Sequence, residues 1–316
     1  MIKRWINTNK YFLISLVLTA LLFYNVGNLR TTNNVSQIRS EEHPLLASRL
    51  FGPLKDDIII NFTQLRQVIK ERHAQKNLPI GIYFEYLPTG SSIGVNGQME
   101  VEIGSLGKVP AVMAVYKAVE AGSVQLSEEL TLKDIHLNDQ FGTLWQKGAG
   151  YSLSVEEAIQ KALVESDNTA INVLLDRIDK ETPESVFDEL DLPRETISEF
   201  PIMSPKSYSS VFRNLYLSAY LEIDHSEKIL EYLTHTNFND QLPAGLPTSV
   251  TMAHKIGLFV QDNGQHVFND CGIVYVPERP YVLCIMAATD EETARSEMIA
   301  YSKLIYSFVA QTSPSK

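Results

Sequence analysis

Cysteine is nearly absent from this chain: Cys271 and Cys284 are the only two among 316 residues, and neither has the Cys/His spacing of a zinc site. The seven histidines are scattered and form no H-E-x-x-H pair, so neither a metal nor a cofactor is expected. Clustered positive charge is missing as well. Beyond Lys3-Arg4 there is no basic run and the net charge is −11, which argues against a nucleic-acid partner and leaves acidity as a matter of solubility. Internal repeats and low-complexity tracts are also lacking.

What is present suits one globular unit. At 44% hydrophobic residues the chain can bury a sizeable core, with room for two subdomains and extra N-terminal material. The long uncharged run is Tyr11 to Gly27, "YFLISLVLTALLFYNVG", preceded by Lys3, Arg4 and Lys10, at the short edge of what spans a bilayer. Its end offers Asn25 and Gly27 rather than an A-x-A cleavage site, and no lipid-accepting cysteine lies nearby. An uncleaved anchor over residues 1–27 is therefore favoured over a cleaved signal. The chain would cross the cell membrane once, with its positive end cytoplasmic and everything after it outside. Residues 28–57 read as a linker, 58–311 as the domain, and 312–316 as a loose tail.

Within the domain, Ile59 to Gln75 has a helical pattern, and "IGIYFEYLPTGSSIGVN" reads as two strands about a Pro-Thr-Gly turn. Helical patterns dominate from about 105 to 222. Three strands follow, "TMAHKIGLFV", "HVFNDCGIVYV" and "YVLCIMAA", with turns at Asp262-Asn263-Gly264 and Pro277 to Pro280, and a closing helix spans Glu292 to Val309. The order predicts an α/β fold of the α+β kind: a five-stranded antiparallel sheet flanked by helices and interrupted by an all-helical insertion. A cleft between sheet and insertion is the natural place for a site. The Pro277 to Pro280 turn does not clearly set Cys271 opposite Cys284, so buried free thiols are expected rather than a disulfide.

Three short stretches carry chemistry. "GSLGKVPAVMAVYKAVEAG" puts Ser105 at the head of a helix apolar on most faces, with Lys108 one turn on, within reach of the serine hydroxyl. Free N–H groups at a helix start favour developing negative charge, and a desolvated lysine moves toward the range of a general base. Alone, the pattern equally fits an N-cap serine followed by a lysine that snorkels to water. Ser313 to Lys316 repeats it in the tail. Ser166-Asp167-Asn168 interrupts an apolar pattern between two helices, which a simple N-cap also explains. Lys255-Ile256-Gly257 lies in a strand pattern, where lysine is often solvent-facing but glycine suggests close approach by another backbone or a ligand.

Together and in this order, "GSLGKVP", "ESDNTAINVLL" and "HKIG" resemble the S-x-x-K, S-D-N and K-T-G signature of the class A β-lactamase and penicillin-binding-protein superfamily, over roughly Leu65 to Val309. The resemblance implies Ser105 as the nucleophile, Lys108 as its base, and Ser166 as relay to the departing nitrogen. Asn168 would hold the substrate amide. Lys255 would supply positive charge facing a substrate carboxylate and help keep Lys108 neutral. The N–H groups of Ser105 and Leu258, beside Gly257, would form an oxyanion hole. Trp145 in "FGTLWQKGAG" fits either a cleft wall or packing. Two departures stand out. Ile256 replaces the hydroxyl residue that usually binds that carboxylate, and "LDLPRETISEFPIMSP" (190–205) lacks the E-x-x-L-N of the deacylating loop, since neither Glu195 nor Glu199 begins it.

The expected function is an extracytoplasmic serine acyl-transfer hydrolase acting on D-alanyl-D-alanine type cell-wall peptides and acylated by β-lactams. A β-lactam-hydrolysing enzyme is the alternative, and a sensor that binds without turnover is the alternative of another class. The expected partners are a small peptide or β-lactam and the membrane, with no nucleic acid, and the protein is expected to be a monomer.

Overall fold

The computed structural model describes residues 42–50, 58–179, 181–193, 201–260, 264 and 266–312, with the side chains of Arg49, Glu181 and Thr182 left out. The expected anchor at 11–27, most of the 28–57 linker, Glu195, Glu199, Asp262-Asn263 of one turn, and 313–316 of the tail lie outside the described residues. The chain divides into two compact units, Met1–Lys55 and Asp56–Lys316. In the first, Ser48–Leu50 form a 3₁₀ turn and Leu46 and Ala47 are buried. Among the described residues no helix is long and apolar enough to cross a membrane.

The second unit holds a five-stranded antiparallel sheet. Helix α1 (Thr63–Lys76) leads into the hairpin β1 (Ile80–Tyr86) and β2 (Ser91–Val95), and the last three strands are β7 (Thr251–Val260), β8 (His266–Tyr275) and β9 (Tyr281–Ala287). The spatial order is β2-β1-β9-β8-β7, so β7 is an edge and β9 is central. Ile80, Ile82, Phe84, Leu283 and Ile285 meet Leu65 and Ile69 of α1 and Met298, Tyr301 and Ile305 of α8 (Glu291–Gln311) in one core. Asp290 caps α8 by accepting from Thr293 N at 2.9 Å, and α1 ends at Asn77 in the left-handed region. Helix α1 starts at Thr63, later than the apolar pattern from Ile59 suggests, because residues 58–62 run extended or irregular into it.

The other face of the sheet receives the inserted block: α2 (Lys108–Glu120), α3 (Val155–Val164), α4 (Asn168–Arg177), α5 (Glu181–Glu189), α6 (Pro205–Tyr216) and α7 (Ile223–Thr234). Local signals fix these starts. Ser154 and Glu157 bond each other's backbone N–H in a capping box before α3, and Ser204 accepts from Ser207 N ahead of Pro205 at α6. The block is not all-helical. It contains the ribbon β4 (Glu129–Thr131) with β5 (Ser152–Ser154), while β6 (Ile202–Met203) pairs with β3 (Val101–Glu102) just before the insertion. Two- and three-residue strands are too short to show a period.

Cys271 and Cys284 are paired in a disulfide, contrary to the expected free thiols. The physical reason is register. Strands β8 and β9 pair from Val274 opposite Tyr281, and each cysteine lies three residues along its strand from that point, so the two stand directly opposite.

Candidate active site

Ser105 sits in a 3₁₀ turn, Gly104–Gly107, that runs straight into α2 at Lys108. Beyond Lys108, Val109, Val112, Met113, Val115 and Tyr116 are buried, so the head of α2 is held deep between block and sheet. The turn is pressed against β7. Gly104 has φ +52°, and a Cβ there would stand 2.5 Å from the Leu258 carbonyl oxygen and 3.3 Å from Leu258 N. A Cβ on Gly257 would collide with the carbonyl oxygen of Ile103 and stand 3.2 Å from Leu106 N. The close approach expected of the glycine after Lys255 is thus present, and it brings Leu258 beside the serine turn. Two further side chains pin that turn: Asn269 Nδ2 donates to Glu102 O at 2.9 Å, and Tyr208 Oη donates to Leu106 O at 2.7 Å.

Ser166 is fully buried and adopts φ +55°, a conformation that costs a serine on the order of 1–3 kcal/mol. It turns both its carbonyl and its hydroxyl toward Lys108. Lys108 Nζ lies 2.5 Å from Ser166 O, 2.6 Å from Asn168 Oδ1, 3.0 Å from Ser105 Oγ and 3.1 Å from Ser166 Oγ. The first two are pure acceptors. A neutral amine gives its two N–H groups to them and keeps its lone pair for a serine hydroxyl proton. Burial pushes the Lys108 pKa down to about 7, against the opposing pull of the Asp167 charge.

Lys255 reaches the same centre from β7. Its Nζ, fully buried, donates to Ser166 Oγ at 2.9 Å and to Ile256 O at 3.1 Å, and it lies 5.9 Å from the centroid of the Phe238 ring. Burial and the neighbouring Lys108 push its pKa down, while Asp270 pushes it up.

The middle residue of the tripeptide does something else. Asp167, fully buried, accepts from Ala170 N at 2.9 Å as N-cap of α4, and from Thr143 N and Leu144 N at 2.8 Å each. Gly142, at φ +83°, has no room for a Cβ against that carboxylate. The N-cap explanation and the site explanation of Ser166-Asp167-Asn168 therefore both hold, on different residues. Asp167 also fixes the segment that presents Trp145, whose side chain is more than a third exposed and so is not packing in the core. Asn168 Nδ2 donates to Asn138 Oδ1 at 3.0 Å, which orients the carboxamide with its oxygen on Lys108.

Ser105, Lys108, Ser166, Asn168 and Lys255 thus form one hydrogen-bonded cluster. Gly257 and Leu258 stand against the serine turn and Trp145 stands on the surface. The roles of Asp167, Asn138, Asn269, Tyr208 and Phe238 escaped sequence reasoning. Only Asp167 carried a signal, as the cap residue before a helix.

No curated protein sequence matches this chain. Solved structures do. PBP-A is 26% identical with a TM-score of 0.71, covering 78% of this chain and 95% of its own. A PBP-A point mutant, solved as an acyl-enzyme complex with penicillin G, is 28% identical with a TM-score of 0.69, covering 78% and 96%. A β-lactamase from Chitinophaga pinensis shares the fold at 19% identity and a TM-score of 0.71, covering 78% and 99%. The family model described as "Beta-lactamase enzyme family" matches residues 63–309, which take in the serine turn, the buried tripeptide and the lysine strand alike, and the chain belongs to that family.

Proposed function

We propose that this protein is an extracytoplasmic serine acyl-transfer hydrolase that acts on D-alanyl-D-alanine type cell-wall peptides and is acylated by β-lactams. The observation that carries the proposal is the Lys108 amine 3.0 Å from Ser105 Oγ, with its two N–H groups committed to Ser166 O and Asn168 Oδ1. In the proposed reaction Ser105 Oγ attacks the substrate carbonyl as Lys108 takes its proton. The N–H groups of Ser105 and Leu258 stabilise the oxyanion, and Asn168 and Trp145 hold the acyl side of the substrate. The proton passes from Lys108 through Ser166 Oγ to the departing nitrogen, with Lys255 on the far side of that hydroxyl. Water then hydrolyses the ester and returns Ser105. Support comes from membership of the β-lactamase enzyme family and from the likeness to PBP-A, a mutant of which was captured with penicillin G on it.

The same proposal puts the protein at the cell membrane through residues 11–27, as a monomer. The disulfide supports an oxidising compartment, since such bonds persist outside the cytosol. A fluorescent penicillin followed by intact mass over time tests the chemistry. The expected result is one covalent adduct on the wild type that decays slowly, and none on Ser105→Ala; equal labelling of both overturns the mechanism. Slow decay is expected because residues 190–205 contain no E-x-x-L-N. Rapid decay with sustained turnover, tens per second in the ordinary enzyme range, selects β-lactam hydrolysis instead.

A further inference from the structure

Behind Lys255, on the opposite face of the sheet, lies a buried His254–Asp270 pair that the acyl-transfer reaction does not use. Successive residues of β7 point to opposite faces, so Lys255 enters the site while His254 points toward the core side. Asp270 faces Ile256 across the β7–β8 ladder and therefore shares the His254 face. His254 Nδ1 stands 2.8 Å from Asp270 Oδ1, and Asp270 Oδ2 accepts from Leu242 N at 3.0 Å; neither side chain exceeds 1% exposure. The ring has a place because Gly272 faces it: a Cβ there would come within 2.5 Å of His254 Cβ.

The hydrogen bonding of the pair follows from its surroundings. His254 Nε2 is buried without a hydrogen-bond partner among the described residues. A ring tautomer that donates from Nδ1 to Asp270 leaves only the Nε2 lone pair unmatched. Asp270 then accepts from two N–H groups, one on each oxygen. Its carboxyl group is thereby held under the strand that carries Lys255.

We propose that Asp270 is the counter-charge that keeps one positive charge in the Lys108–Ser166–Lys255 cluster, acting through the sheet on Lys255, and that His254 is the positioning residue that holds its carboxyl group in place. Each buried lysine feels one buried aspartate, Asp167 for Lys108 and Asp270 for Lys255. Other charged groups packed around the sheet have partners of their own. On α7, which packs along β7, Glu227 acts on Tyr275, and Glu231 acts on Tyr116 and Tyr232. On α8, Glu297 is paired with Arg72 and Lys76, and Arg213 of α6 is paired with Glu85. A buried ammonium without a counter-ion costs several kcal/mol, so it sheds its proton when the anion is removed.

The test uses Asp270→Asn, which keeps shape and one acceptor but removes the charge. Its acylation readout rests on the acyl-transfer proposal; its stability readout does not. In the pH profile of acylation by a fluorescent penicillin, the alkaline limb, where Lys255 loses its proton, is expected to move down by about one pH unit or more. A merely structural role would slow the reaction and leave that limb in place, and a folded Asp270→Asn protein with an unmoved limb overturns the proposal. Thermal unfolding of Asp270→Asn, Lys255→Met and the double variant gives the second readout. Loss of Asp270 is expected to cost much less in the Lys255→Met background, and a double variant that folds where Asp270→Asn alone does not counts the same way. Additive losses, or a double variant that also fails to fold, overturn it. If the wild type takes no label, the acyl-transfer reading falls and the unfolding cycle alone decides this one.

Discussion

Strands β9 and β7 belong to one sheet and are built on opposite rules. All seven residues of β9 are apolar or aromatic and buried, and the strand is flanked on both sides by partners. The middle of β7 reads His254-Lys255-Ile256-Gly257, with two ionisable side chains at no exposure and a glycine jammed against another backbone. The central strand concentrates what holds the fold. The edge strand concentrates what costs stability, because only an edge leaves backbone groups free to face a cleft. The site is therefore a region where burial works against stability and is balanced locally, lysine by aspartate and strained serine by ammonium.

That contrast can be broken in order of expected effect. Replacing Lys108 with alanine should slow acylation by about a hundredfold to ten-thousandfold, the usual weight of a general base. Melting temperature should hold or rise, since a buried amine is removed; a melting temperature that falls steeply would make the lysine structural. The wild-type rate should rise with pH through about 7 as Lys108 loses its proton, falling roughly tenfold per unit below that. The core should respond in reverse. Leu283→Ala, fully buried in β9, should cost about 2–5 kcal/mol in urea unfolding and leave acylation per folded molecule unchanged. Removing both cysteines, which close a 13-residue separation, should cost about 3 kcal/mol, and alkylation of the denatured unreduced protein should add no label. Two labels would restore the free-thiol expectation. Gly257→Ala should be the mildest, about 1–3 kcal/mol, yet it should lower stability and acylation together, because it displaces Ile103 and with it the serine turn.

How much was legible follows the same division. Long segments such as β7, β8, β9 and α8 are readable because burial, on both faces of the strands and along one stripe of the helix, constrains many residues at once. That Ser105, Lys108, Ser166, Asn168 and Lys255 lie together was to be expected from the resemblance of three short motifs to one family's signature. The disulfide was not, since a one-residue change in the Val276 to Pro280 turn would alter which residues face each other. Nor was the His254–Asp270 pair. Its members are distant in sequence and look like ordinary strand residues until register puts them on one face. Asn138 and Asn269 were hidden for a related reason: each acts on backbone or carboxamide atoms across the fold, and a lone asparagine carries no pattern.

The central place of β9 has a consequence in time as well as in space. Strand β1 pairs with β9, Ile80 opposite Ala287, so the first strand of the sheet waits for its last before the sheet can close. Such long-range pairing makes folding slow, because a large loop must be ordered before any contact rewards it. A nascent chain lacking β9 and α8 would leave the β1–β2 hairpin without the rest of its sheet and α1 without a core. A chain that stays open until its C-terminal segment arrives is also one that can be threaded through a narrow pore before it folds.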